Sequence, residues 1–88
     1  MDRRLLQRRL KALSGGSRLE ILAFLKKKQL ASVTEITEAV HRSVKTVSTH
    51  LQHLIALGIL ERHQRGRTVF YRLSSSQEPP VKQVLPLL

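Results

Sequence analysis

Between Ser43 and Leu57 the chain reads SVKTVSTHLQHLIAL, and the side chains able to do chemistry there are hydroxyls, one ammonium, one amide and two imidazoles. None is acidic. Lys45, Thr46, Ser48, Thr49, Gln52 and His53 alternate with apolar residues at helical spacing, so they lie on one helix, off its buried stripe. Short hydroxyls, amides and cations of this kind hydrogen-bond to base edges and phosphate oxygens. Downstream, Arg62, His63, Gln64, Arg65 and Arg67 gather around Gly66, a set suited to phosphates or the minor groove.

Other chemistries find no matching set. There is no nucleophile paired with a base and no phosphate loop, so the chain is not expected to be an enzyme. Glu35 and Glu38 are the only close carboxylates, better read as a helix cap and a surface charge. The absence of cysteine excludes disulfides, thiolate metal sites and thiol redox sensing. His50 and His53 stand at i, i+3, but two imidazoles on a DNA-facing helix make a poor metal site. No metal or cofactor is expected.

Bulk composition agrees. The 88 residues fit one domain, 1–88. Sixteen Lys and Arg against six Asp and Glu give a formal charge of +10, the electrostatic footprint of a polyanion binder. An anionic membrane surface would also attract such a chain, but its apolar stretches are short and interrupted by charge, so no span and no membrane partner are expected. The first residues carry charge with no apolar core of a signal peptide behind them, and a cytoplasmic location is the expectation.

The elements that must position these side chains are legible in the punctuation. Leu6, Leu10 and Leu13, with Leu5 beside them, predict an amphipathic helix over 3–13, broken at Ser14-Gly15-Gly16. Ser17 and Glu20 have the spacing of a capping box for a helix over 17–27, and Lys26-Lys27-Lys28 suits the end of its dipole. Ser32 and Glu35 repeat the box for a helix over 33–40 with Ile36, Ala39 and Val40 inward. His41-Arg42-Ser43 then forms a tight turn, with His41 where a left-handed residue is needed. Ser43 caps a helix over 44–57 that buries Val47, Leu51, Leu54 and Ile55 and stops at Gly58. Strands over 59–64 and 68–73 flank Arg65-Gly66-Arg67 as a hairpin. After a polar linker over 74–79, Pro80 would open a short helix over 80–85, which Pro86 ends.

Two short helices joined by three residues, followed by a glycine-tipped hairpin, make a winged helix-turn-helix: an α+β fold, mainly α. The second helix is a rod matched to the major groove of duplex DNA. The stretch from Leu10 to Leu73, with LKALSGGSRLEIL, SVTEITEAV, SVKTVSTHLQHL, LGIL and RGRTVFYRL in order, resembles the ArsR-type (arsenic-responsive repressor) family of transcription factors. The resemblance implies a homodimeric repressor on a palindromic operator of double-stranded DNA, released by a small-molecule effector. It puts DNA contacts at Ser43, Val44, Lys45, Ser48, Thr49 and His50, with wing contacts near Arg65 and Arg67. Thr46, His53 and Arg62 join them from the residue reading, and Arg42 either adds a phosphate contact or covers the turn. In the family the first and last helices build the dimer interface, which here falls on Leu5, Leu6, Leu10, Val81, Val84, Leu85 and Leu88.

The chain departs from the family pattern. His41 and Arg42 stand where glycine and an apolar residue are usual, and Gly16 where a proline is. Val44 replaces a frequent glutamine, shifting base preference toward a thymine methyl. Ser32 and Thr34 occupy the places of the thiolate pair of metal-sensing members, and residues 74–88 contain no Asp or His. The family's metal sensing is therefore not expected here. An architectural, nucleoid-type DNA binder is the alternative, supported by the high charge. A protein-binding winged helix would show an acidic or apolar second helix, which this sequence lacks.

Overall fold

The computed structural model describes residues 3–14, 16–75, 77 and 81–88, with only the backbone of Leu6, Ala12, Leu13 and Ser14. In order these form α1 (Arg3–Ser14), α2 (Gly16–Lys28), β1 (Ala31–Ser32), α3 (Val33–Val40), α4 (Val44–Ala56), β2 (Leu60–Arg65), β3 (Thr68–Leu73), α5 (Val81–Val84) and a closing 3-10 turn (Leu85–Leu87). The mainly helical architecture and the wing are as expected from the sequence.

Local chemistry explains most boundaries. The Ser32 hydroxyl accepts from the Glu35 amide at 3.2 Å and the Glu35 carboxylate accepts from the Ser32 amide at 3.1 Å, the full capping box of α3. Those contacts, the backbone one first, hold the Glu35 carboxyl below its ordinary value, and Lys28, paired with it at 3.6 Å, adds to the effect. At the end of α4 the Gly58 amide reaches the Ile55 carbonyl and the Ile59 amide reaches that of Leu54, a Schellman pair. Gly58 has φ of +75° with open space where a Cβ would sit, so Gly58→Ala meets backbone strain and no clash. It is expected to cost about 1–2 kcal/mol, read from the urea midpoint of unfolding.

Several expectations are corrected by the structure. Ser17 does not cap α2, because Gly16 already belongs to that helix. Ala39 is exposed, since Ile36 and Val40 alone satisfy the inward stripe of so short a helix. β1 has no counterpart among the expected strands: Ala31 and Ser32 pair antiparallel with Tyr71 and Phe70, giving the sheet order β1-β3-β2. Two residues are too few for a period-of-two pattern to show. The proline pair at 79 and 80, the expected start of the last helix, lies outside the described residues; the described helix starts at Val81 and passes into the 3-10 turn at Pro86.

The core gathers Ile21, Leu22 and Leu25 of α2, Ala31, Ile36 and Val40, Val47, Leu51 and Leu54 of α4, Leu57, Ile59, Leu60 and Val81. Ile55, expected in the buried stripe of α4, is half-buried and packs against this cluster. Val81 is 1% exposed within a single chain, so it is a core residue and not the interface residue expected from the sequence. Gln77 ties the segment before it to the fold, donating to the carbonyls of Ile59 at 3.0 Å and Ser74 at 2.9 Å. Among the described residues, no helix is long and apolar enough to cross a membrane.

Candidate nucleic-acid interface

The helix pair α3–α4 turns through His41, whose φ of 55° and ψ of 44° are left-handed, as its position in the sequence requires. Ser43 caps α4, its hydroxyl accepting from the Thr46 amide at 3.1 Å. The same hydroxyl donates to the Thr46 hydroxyl at 2.9 Å, so these two side chains are partly engaged with each other. Thr49 donates its hydroxyl to the Lys45 carbonyl at 3.0 Å, leaving its lone pairs and methyl group to face outward contacts.

Burial divides α4 into two sides. Val47, Leu51 and Leu54 are 0% exposed and clamp the helix onto the core. Lys45, Thr46, Thr49, Gln52 and His53 are exposed, and Ser48 is half-buried on the flank. Val44 is apolar yet 57% exposed at the N-terminal turn of α4, where the core gives it no cover. Arg42 is exposed in the turn beside it.

His50 is placed differently from the rest of the polar set. It is half-buried between helices, and its Nδ1 accepts from Nε–H of Arg18 on α2 at 3.1 Å. Burial first, and then the charges of Arg18, His53 and Arg42, push its pKa below the ordinary 6.5. The fold thus favours the neutral ring, and this contribution to stability is present above about pH 6.5 and lost as pH falls through the lowered value. Arg18 was not legible as a site residue: its partner is 32 positions away and no local pattern links them.

The wing is a tight hairpin. Arg65 pairs with Thr68, so Gly66 and Arg67 alone form the loop, with Gly66 first and at φ of 60°, the glycine-first arrangement of a type II′ turn. Gln64 braces the tip by donating to the Gly66 carbonyl at 3.2 Å. Directly opposed residues share a face of the sheet. Arg62, opposite Tyr71, therefore faces the α4 side, and with Gln52, Ile55, Ala56 and Tyr71 it lines a groove of about 440 Å3 between helix and wing. Arg65 lies on the other face with Glu61 and His63, so the structure separates it from Arg62. Glu61 accepts from Arg72 at 2.9 Å and pairs with His63 at 3.3 Å; those contacts, that with His63 first, hold its carboxyl low. Arg65 and Arg67 remain exposed at the tip.

Among the described residues no three His, Asp or Glu side chains come together as a metal-ligand set. The expected interface residues of α1 and the tail are divided as well. Leu10 is 50% and Leu88 36% exposed, whereas Leu5, Val84 and Leu85 are partly buried against the core. The side chain of Leu6 lies outside the described residues. Leu87, which the apolar spacing of the tail did not single out, is 83% exposed.

A capped helix held on the core by one side, its outer side mostly polar and free of acid, beside a basic hairpin, defines a winged helix-turn-helix DNA-binding domain. The family model described as HVO_A0114 matches residues 15–74. The transcriptional activator HlyU of Vibrio cholerae is 37% identical over 79 residues, 90% of this chain and 69% of HlyU. Its solved structure superposes with a TM-score of 0.81 at 30% identity, covering 99% of this chain and 92% of that one. The cadmium resistance transcriptional regulatory protein CadC of Listeria innocua is 36% identical over 61 residues, 69% of this chain and 51% of CadC. The homodimeric winged helix-turn-helix domain of Mb0332 from Mycobacterium bovis, described as a possible ArsR-family regulator, matches with a TM-score of 0.79 at 30% identity over 96% of this chain and 74% of that one. The chain belongs to the ArsR-type family of winged helix-turn-helix transcriptional regulators, and it is a DNA-binding regulator.

Proposed function

We propose that the chain is a homodimeric repressor that reads an operator with the outer side of α4 and grips the backbone with its wing. The observation carrying this reading is the division of α4: three fully buried aliphatics hold it, and the side left exposed is built of Val44, Lys45, Thr49 and Gln52. Ser43, Thr46 and Ser48 flank that side, and His53 lies further along it. Arg42, Arg62, Arg65 and Arg67 supply cations toward phosphates.

Dimerisation is supported by the homodimeric state of the Mb0332 domain and by the exposed Leu10, Leu87 and Leu88, since α1 packs against α5. The proposed function is binding and not catalysis, in an aqueous compartment shared with DNA.

Selection of binding sites from random duplexes by the purified protein tests the reading. The expected result is an enriched motif of two inverted half-sites, their centres about 34–36 Å apart or a multiple of that, one or more turns of B-DNA. Absence of any enriched motif would replace it with architectural binding. Sedimentation showing only monomer at about tens of micromolar would remove the dimer.

A further inference from the structure

The hydrogen bond between Arg18 and His50 has no part in the recognition just described. Arg18 comes from α2 and His50 from α4, and the bond between them is partly buried. Because Nδ1 accepts from a guanidinium, which is always protonated, the neutral ring must carry its proton on Nε2. Nε2–H is then a donor of fixed tautomer on the helix proposed to face the duplex, and among the described residues His50 makes no hydrogen bond other than the one from Arg18. The charges acting on the ring are Arg18 from α2, Arg42 from the turn and His53 from α4 itself; no carboxylate of α3 or of β2 is among them. A donor set among cations, with no carboxylate of the described residues acting on the ring, is a place for an anion.

We propose that Arg18, Arg42 and His50 form a binding site for a backbone phosphate of duplex DNA at the α2-side flank of α4. This rests on the reading that α4 faces the duplex, and adds α2 to the surface that touches it. Nε2–H of His50 donates to a phosphate oxygen, while the charges of Arg18 and Arg42 neutralise it. Arg18 also acts as a positioning residue, fixing the imidazole tautomer. Burial and the nearby cations keep the ring neutral; the arriving phosphate offsets part of this, so binding raises the affinity of His50 for a proton, which is taken up at Nδ1 and displaces the bond from Arg18. A group that binds its proton more tightly in the complex makes the complex more favourable as pH falls.

The test follows each imidazole by NMR in the wild-type protein, free and with a short random-sequence duplex at low salt, from about pH 5.5 to 8. In the free protein the His50 nitrogen shifts should report the Nε2–H tautomer. With duplex its titration midpoint should move upward, by about one unit, and the affinity for that duplex should rise by up to about tenfold per protomer as pH falls through the range. In His50→Gln the shape of that pH profile should flatten, although His41, His53 and His63 are still present. In Arg18→Gln the free-state tautomer preference should weaken and the midpoint should rise part of the way toward 6.5, the share due to burial remaining. Inorganic phosphate in place of duplex distinguishes a free-anion site: if it moves the midpoint as far as duplex does, the site is not specific to the DNA backbone and the proposal fails. If duplex binds while the His50 midpoint stays put, the phosphate site is overturned and the recognition reading survives. If no duplex binds at all, both fall.

Discussion

Leu51→Ala is expected to destabilise the domain by about 2–5 kcal/mol, the range for truncating a buried leucine. Leu51 is 0% exposed and stands on α4 between Val47 and Leu54, which are equally buried. Its removal leaves a void among side chains from α2, α3 and the start of β2 that cannot close without moving α4. A domain of this size has roughly 4–13 kcal/mol of stability in total, so the loss is a large share. Urea unfolding should show a lower midpoint with an unchanged slope. DNA affinity at saturating protein and low temperature should survive in the folded fraction, because Leu51 presents nothing outward. A loss below about 1 kcal/mol would mean that α4 is not held by this packing.

The second large effect separates reading from gripping. Lys45→Ala is expected to weaken binding to the selected operator by about 1–3 kcal/mol and to relax base preference at one position of each half-site. Arg67→Ala, at the loop of the wing, is expected to weaken operator and random duplex alike and to reduce the magnitude of the salt slope by about one for each phosphate no longer neutralised. The two substitutions remove the same formal charge, so the contrast isolates geometry. Lys45 stands on the exposed N-terminal turn of α4, and Arg67 stands on a hairpin tip. If both variants weaken equally on every sequence, α4 holds phosphates without reading bases, and the protein is an architectural binder.

What the sequence made legible was local. The Ser32–Glu35 box, the Ser43 cap, the left-handed His41 and the Gly58 stop each depend on residues within a turn of one another, and each is found as expected. The buried stripe of α4 followed from periodicity at Val47, Leu51 and Leu54, though not at the half-buried Ile55. What was hidden depends on distant pairing. β1 exists only because β3 lies beside it, and Arg18 meets His50 only because the fold brings together residues 32 positions apart. Val81 looked like part of an exposed apolar face, since its spacing from Val84 and Leu88 is helical, but it is covered by the core. An apolar residue in a short tail has the same signature whether it covers its own fold or a partner's. The separation of Arg62 from Arg65 required the strand register, which shifts every side chain to the other face with a slip of one residue.

Ser32 belongs to two structures at once. It pairs with Phe70 in the sheet and its side chain opens α3, so the hairpin and the helix pair meet at one residue. So short a junction couples the hairpin to the helix pair. The span from α4 to the tip at Arg67 would then act as a caliper laid against the double helix. Duplexes whose groove width and twist match the span would seat both ends together, while stiffer or wider ones would have to be deformed first. Selectivity would then extend to base pairs that no side chain touches. Lengthening the stretch between α2 and α3 by a flexible residue would blunt that discrimination while leaving the contacts themselves intact.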